Sequence, residues 1–358
     1  MPMRDDSIFG WDIGGAHVKA CRLRHGQVLE VVQWVCPLWQ GLEHLERVLV
    51  AAHGRWPGLA QAQHAVTMTG EMVDLFEHRE DGVRRLAALL SAALAEVPSA
   101  VHFFAGNAGW CTGGAAARHW EQIGSANWLA TARHVALALP ERDLVLVDVG
   151  STTTDLIAVR AGRVLSAARS DAARLASGEL VYHGVVRTPL CALAQRIAWR
   201  GEELNVMNEF FATAADVYRL TGELAPAHDQ YPSADNAAKD LPATRQRLAR
   251  MIGLDSRDGS DGEWLAFARE WRQRQLAELR GQLERVRRLH GLTDDAGLVG
   301  AGCGDFLVPE MAAGHAGNLA YARDVARIAP EAATGAAGWA QVCAPSVAVA
   351  ALFDLERR

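Results

Sequence analysis

LVLVDVGSTTTDL, residues 144–156, runs four apolar residues into an aspartate, turns at a glycine, and stacks a serine and three threonines before a second aspartate. An apolar run ending in D-x-G reads as a buried strand whose last residues open into a ligand-facing turn. The same grammar occurs earlier in the chain. When Asp12 is set against Asp148, WDIGGAHVKACRLRHGQVLE aligns with VDVGSTTTDLIAVRAGRVLS, and the pairs Gly14/Gly150, Arg24/Arg160, Gly26/Gly162, Val28/Val164 and Leu29/Leu165 coincide. Each copy reads as a strand ending in D-x-G, a polar turn, a second strand, a tight glycine turn and a third strand. A duplicated β-meander therefore opens each of two domains, and the two D-x-G turns are expected to face each other across a cleft.

Length and composition agree with two domains. The chain has 358 residues, half of them hydrophobic, enough to fill two cores. A net charge of -6, with basic residues scattered, gives no electrostatic footprint for nucleic acid. The N-terminal MPMRDDSIFGWD lacks the apolar stretch of a leader, and no run approaches the roughly 18 apolar residues of a membrane span. A cytoplasmic protein with no membrane partner is expected. Its six cysteines form no CxxC pair and read as free thiols in a reducing compartment.

The first domain is expected over residues 1–124, joined by a C-terminal helix at about 338–358. SANWLATARHVALAL, residues 125–139, has helical apolar spacing with Ser125 as cap and would connect the domains. The second domain would take residues 140–337, with a polar excursion at about 225–262. The amphipathic helix that follows, residues 263–290, carries an apolar face of Trp264, Leu265, Phe267, Trp271, Leu276, Leu279, Leu283 and Val286. Its charges are read as a solvated face, with a homo-oligomer contact as the alternative.

Hydroxyls and backbone amides of a glycine turn can ring a phosphate, and carboxylates hold Mg²⁺ largely through its waters. On this reading Asp12 and Asp148 bracket a Mg²⁺ ion. Gly14, Gly15, His17 and Lys19 of the first turn, and Gly150, Ser151, Thr152, Thr153 and Asp155 of the second, hold a di- or triphosphate. The plainer alternative is a turn whose Thr and Asp satisfy only local backbone groups. A late cluster, GLVGAGCGDFLV at residues 297–308, offers Gly300, Gly302 and Gly304 for close approach to a nucleoside or substrate.

With these three motifs in this order the chain resembles the actin, hexokinase and Hsp70 ATPase superfamily. The resemblance implies an α/β, two-domain actin-like (ribonuclease H-like) fold with duplicated β-meander domains and an interdomain cleft. The first turn departs from the superfamily pattern at Ala16 and His17, where a hydroxyl is usual, and the third motif at Ala301 and Cys303. More specific blocks are VTMTGEMVDLFEHREDGV, ARLASGELVYHGVVRTPL, EFFATAADVYRLTGEL, YPSADNAAKD with RLARM, and CAPSVAVAAL. By these the chain resembles the hydantoinase/oxoprolinase-related family linked to tetrahydromethanopterin-dependent one-carbon transfer.

That resemblance implies a transferase of methanofuran- or methylofuran-type cofactor biosynthesis. An aminomethylfuranyl-methyl diphosphate would condense with the phenol oxygen of a tyramine, glutamyl-tyramine or tyrosine acceptor, forming an aryl ether and releasing diphosphate. A phenol needs a base at neutral pH. Glu71 and Asp74 in TGEMVDLFE are the candidates, on one face if Thr69-Gly70 starts a helix, with simple helix capping as the alternative. Arg174, Glu179 and Arg187, in a polar stretch with Asp171 and Tyr182, are substrate-cleft candidates. An ATP-dependent phosphotransferase or hydantoinase/oxoprolinase-type ATPase, and a non-catalytic nucleotide-sensing partner of one-carbon metabolism, remain alternatives.

Overall fold

IFGWDI, HVKACRLR and QVLEVVQWV fold as three adjacent antiparallel strands, β1 (Ile8–Ile13), β2 (His17–Arg24) and β3 (Gln27–Val35). The computed structural model describes residues 6–312 and 317–357. The chain divides into two units: Met1–Leu144, Val159–Arg174 and Leu319–Arg358 make the first, Val145–Ala158 and Leu175–Asn318 the second. The helix expected as a connector is Asn127–Ala138 and belongs to the first unit.

In the first unit β4 (Gln63–Met68), β5 (Val101–Phe104) and β6 (Trp110–Thr112) extend the sheet to the order β3-β2-β1-β4-β5-β6. β1, β4 and β5 are parallel, so their carboxyl ends share one edge. Ligand sites in open α/β sheets lie outside such an edge. All six residues of β1 are buried, which marks a strand covered on both faces. Phe9, Trp11 and Ile13 enter a core with Leu45, Leu49, Leu86 and Leu90 from helices Glu43–Arg55 and Arg79–Leu94. Trp11 donates to His64 Nδ1 at 3.1 Å while His64 Nε2 meets the Leu59 carbonyl, and burial pushes the imidazole down to about 3, so His64 is a neutral core group.

The opposite face of β1 receives helix Ala344–Glu356, buried from Ala344 to Asp354. Gly10 permits this approach: a Cβ there would lie 2.1 Å from the Ser346 carbonyl oxygen and 2.7 Å from Ala350 Cβ. Gly10→Ala is expected to destabilise the first unit by about 1–3 kcal/mol through overpacking, read as a lower urea midpoint. The C-terminal helix expected at about 338–358 is instead two helices: Ala336–Val342 ends at Cys343 and meets Ala344–Glu356, with Pro345 in its first turn, at 97°. No single described helix is long and apolar enough to cross a membrane.

The second meander begins with β7 (Leu144–Val149) and β8 (Thr154–Arg160). Both copies turn on a pair with positive φ, His25-Gly26 and Ala161-Gly162, as a two-residue hairpin requires. The third strands differ: β9 is only Arg163–Val164, against nine residues in β3. VLEVVQWV supplies β-branched and aromatic residues where VLSAARSD supplies Ala, Ser and Asp, which leave the ladder easily. The second unit's sheet continues from β10 (Leu180–Val181) through β8 and β7 to strand Gly297–Ala301.

The long helix spans Asp261–His290 and ends on Gly291 in the left-handed region. Its expected apolar residues are buried except Leu265, which is half-buried. Arg272, Gln275 and Arg287 are buried among them, and Arg272 reaches Glu310 at 2.7 Å and Glu223 at 2.8 Å. The reading of its charges as wholly solvated is therefore corrected. The polar stretch 225–262 holds a helix of its own, Leu241–Arg250, capped by Asp240. Arg247, fully buried, donates to Asp216 at 2.8 Å and to Asp235 at 3.1 Å, while Lys239 and Arg219 hold Asp229 at 2.9 and 2.6 Å.

Candidate active site

In the second unit the chain leaves β7 at Asp148 and Val149 and folds back at once, the Gly150 amide donating to the Thr153 carbonyl at 2.8 Å. Ser151, Thr152 and Thr153 are half-buried at the tip, and the Ser151 and Thr152 hydroxyls lie 3.4 Å apart. Amides of Val186 and Arg187 both donate to the Ser151 carbonyl, at 3.1 and 2.8 Å. Gly184 lies flat on the turn: a Cβ there would sit 2.4 Å from the Thr152 nitrogen. Its carbonyl accepts from Gln275 at 3.0 Å and Thr188 at 3.1 Å, and Tyr218 in turn donates to Gln275 at 2.8 Å. Backbone contacts therefore fix the turn from beneath and leave its hydroxyls as the variable surface.

The late glycine cluster meets this turn. Gly302 has φ +87°, and a Cβ on it would lie 2.2 Å from the Val149 carbonyl oxygen and 2.6 Å from Asp148 Oδ1. The Gly304 amide donates to Val149 at 2.8 Å. Gly302 and Gly304 thus serve close backbone approach, to the D-x-G strand end itself, while Gly300 faces Val308. Asp155 lies in β8 opposite Leu180, and Thr154 donates to the His183 carbonyl at 2.6 Å.

The first unit repeats the turn without hydroxyls. The Gly14 amide donates to the His17 carbonyl at 2.9 Å, the counterpart of the Gly150–Thr153 bond. The chain itself uses the carbonyls of this turn, Cys36 donating to Ala16 at 2.9 Å and Leu38 to Gly15 at 3.0 Å. His17 is buried. Lys19 stands opposite Asp12 in the β1–β2 ladder and pairs with its Oδ2 at 3.4 Å. Burial pushes the Asp12 carboxyl up from its ordinary value and the Lys19 ammonium pulls it partly back. Asp12 Oδ1 is buried with no hydrogen-bond partner among the described residues. Those residues contain no group of three His, Cys, Asp or Glu able to enclose a metal ion. Mg²⁺ usually takes one or two carboxylates together with water and substrate phosphate; within the first unit the orphaned Asp12 oxygen is a donor of that kind, and within the second unit the Asp148 carboxylate at the end of β7 is another.

Beside the first turn, at the same carboxyl edge, β4 ends and Gly70–Met72 forms a single 3-10 turn. The expected helix through TGEMVD is absent, because Val73 is already extended. Asp74 is accordingly exposed and does not share a helical face with Glu71, which is 1% exposed. Glu71 is enclosed by bare backbone: a Cβ on Gly82 would lie 2.5 Å from its carbonyl oxygen, and one on Gly124 would lie 3.0 Å from its Oε1. Ser125 donates to Glu71 Oε1 at 3.0 Å, and Arg79 Nη2 approaches the same oxygen at 3.3 Å. Arg79 also donates to Ser125 Oγ and to Asp171 Oδ2, the latter at 2.7 Å. Desolvation pushes Glu71 up to about 7 against the pull of Arg79 and the Ser125 hydroxyl, and the Asp171 charge adds to the rise. Glu71 Oε2 is buried with no hydrogen-bond partner among the described residues.

Two sequence expectations change here. Ser125 is not the helix cap: Asn127–Ala138 has Ala126 at that position, and Ser125, at φ +52°, turns its hydroxyl to Glu71 instead. The stretch containing Asp171, Arg174, Glu179 and Arg187 does not act as one cluster. Asp171 and Arg174 join the Glu71 group, with Arg174 buried 3.4 Å from Asp171 and lying over the Trp128 ring. Glu179, in the second unit, bonds Ser177 at 2.8 Å and His290 at 2.9 Å. Arg187 is exposed and stacks over Tyr231, and Tyr182 is exposed. Arg79 escaped the sequence reading, although an arginine opening a helix, against the dipole, is a signal that its charge is answered elsewhere.

Comparison with known proteins adds an independent line. The family model described as Hydantoinase/oxoprolinase matches residues 63–338. A protein of Methanocaldococcus jannaschii, named (4-{4-[2-(gamma-L-glutamylamino)ethyl]phenoxymethyl}furan-2-yl)methanamine synthase, is 30% identical over 287 residues, covering 80% of this chain and 84% of its own. A protein of the same name from Methanococcus vannielii is 28% identical over 152 residues, 42% of this chain and 68% of its own. Among solved structures, nucleotide-free acetone carboxylase superposes with a TM-score of 0.52 at 11% identity, over 86% of this chain and 67% of that one. This last likeness concerns the fold alone.

Proposed function

The chain belongs to the hydantoinase/oxoprolinase family, and from that membership and the geometry above we propose that it is an ether-forming synthase of methanofuran-type cofactor biosynthesis. The relatives are named for a phenoxymethyl-furanyl methanamine whose ring carries a glutamylaminoethyl chain; the proposed substrates are an aminomethylfuranyl-methyl diphosphate and a phenol of the tyramine or tyrosine class. The phenol oxygen attacks the furanyl methylene carbon, the C–O bond to diphosphate breaks, and the phenolic proton passes to Glu71 Oε2. An electron-rich furan shares positive charge at that carbon, so the departing diphosphate needs stabilisation more than the nucleophile needs strength. Glu71 carries the reading. It combines burial, a half-free carboxylate and an affinity for protons near neutrality, which suits a general base.

The Gly150–Thr153 turn is assigned to the diphosphate, its Ser151 and Thr152 hydroxyls donating to phosphate oxygens. Asp148, at the strand end that carries this turn, would offer a carboxylate oxygen to Mg²⁺, which would neutralise charge on the leaving group when bound. The protein with Mg²⁺ is to be incubated with the furanyl diphosphate and tyramine, and separately with ATP. Ether product and free diphosphate in the first mixture, with no ATP turnover in the second, is the expected outcome. ATP turnover without ether would contradict it.

A further inference from the structure

Four residues distant in sequence meet within the first unit: Glu71 after β4, Arg79 opening the helix Arg79–Leu94, Ser125 before the helix Asn127–Ala138, and Asp171. We infer that Arg79 is the positioning residue of the Glu71 base and that Asp171, held by the same guanidinium nitrogen, sets how much of the Arg79 charge Glu71 feels. The inference rests on the base role proposed for Glu71.

Hydrogen-bond capacity supports it. Arg79 Nη2 carries two hydrogens and has three oxygen neighbours, Asp171 at 2.7 Å, Ser125, and Glu71 at 3.3 Å. The two shorter contacts take the hydrogens, and Ser125 passes its own proton on to Glu71 at 3.0 Å. The result is a directional chain, Asp171 to Arg79 to Ser125 to Glu71, in which one carboxylate oxygen is fixed and the other left for substrate. The charged groups facing Glu71 are Arg79 and Asp171. Arg174 stands behind Asp171 at 3.4 Å, and Gly82 and Gly124 bring only backbone. Removing the arginine charge makes Glu71 harder to ionise, and removing the aspartate charge makes it easier. A purely structural bridge would make both losses act alike, through stability alone.

The test measures Glu71 ionisation directly. Infrared difference spectra of the full chain across pH, assigned by the band that Glu71→Gln removes, give the titration midpoint without any turnover. Asp171→Asn is expected to move the midpoint to lower pH and Arg79→Gln to higher pH, each by about one unit. Arg79→Lys, which keeps the charge, restores the midpoint but lowers kcat, and serves alone if Arg79→Gln does not fold. Midpoints unmoved in Asp171→Asn, or moved upward in both charge-removing variants, would overturn the inference. If the shifts occur while no ether forms from the furanyl diphosphate, the Arg79 assignment stands and the reaction proposed for the site is what fails.

Discussion

Glu71→Gln is expected to lower turnover by about 10²–10⁴-fold, the range for loss of a general base, and to make the folded protein more stable above pH 7. The folded-state carboxyl sits at about 7, above its ordinary 4.5, because burial disfavours its charge. Between those values the folded chain keeps a proton that the unfolded chain has lost, so stability falls as pH rises through the interval. Above pH 7 the loss is complete, on the order of 3 kcal/mol, and Gln does not incur it. Arg79 keeps Asp171 at 2.7 Å, so the substitution strands no cation. Urea unfolding should show the variant equal to the parent near pH 4.5 and more stable at pH 8. A variant less stable than the parent at pH 8 would mean that the Arg79 ion pair outweighs desolvation, and retained turnover would remove Glu71 as the base.

Gly302→Ala carries the largest effect expected in the second unit. At φ +87° any side chain is strained, at roughly 1–2 kcal/mol. Its Cβ would also need space 2.2 Å from the Val149 carbonyl oxygen, which is backbone and cannot swing aside, and 2.6 Å from Asp148 Oδ1. A combined cost of about 3 kcal/mol corresponds to a fall of roughly 6–12 °C in Tm. Relief of the clash must displace Asp148 or the Gly304–Val149 bond, so kcat for the condensation should fall as well, by about tenfold or more. Gly201→Ala separates the two costs: its φ is +83°, yet a Cβ there meets nothing within 4 Å. That variant should lose only the backbone term and keep its turnover. Equal effects of the two substitutions would show that the close approach of Gly302 to Asp148 has no bearing on the site.

The strand ends, the duplicated turn and the glycine hairpins were legible because they are local. D-x-G after an apolar run states both the strand and its turn, and Gly26 and Gly162 announce their positive φ. Glu71 was legible as a candidate, but its surroundings were not. Its partners lie 8, 54 and 100 residues away, and nothing local tells Ser125 as a helix cap from Ser125 as a donor to a buried carboxylate. The pairing of Glu71 with Asp74 depended on TGEMVD being helical, whereas Glu71 is buried by glycine contacts from Gly82 and Gly124, which periodicity does not register. Charge was misjudged for a related reason. Arg247 and Arg272 look like solvated residues until Asp216, Glu223 and Glu310 arrive from elsewhere in the chain.

The repeat also separates the roles of the two turns. Both close the same backbone hydrogen bond, but only the second presents Ser151, Thr152 and Thr153, while Gly15 and Ala16 of the first spend their carbonyls on Cys36 and Leu38. This difference supports the phosphate-binding role proposed for the second turn rather than the first.

The central proposal is carbon–oxygen bond formation by the phenol, with diphosphate as leaving group. It is tested most directly by supplying tyramine labelled with ¹⁸O at the phenolic oxygen, together with the furanyl-methyl diphosphate and Mg²⁺, and reading the label by mass spectrometry. All of the label in the aryl ether and none in the released diphosphate is the result predicted. Label bonded to phosphorus, as an aryl phosphate, would show phosphoryl transfer and contradict the account.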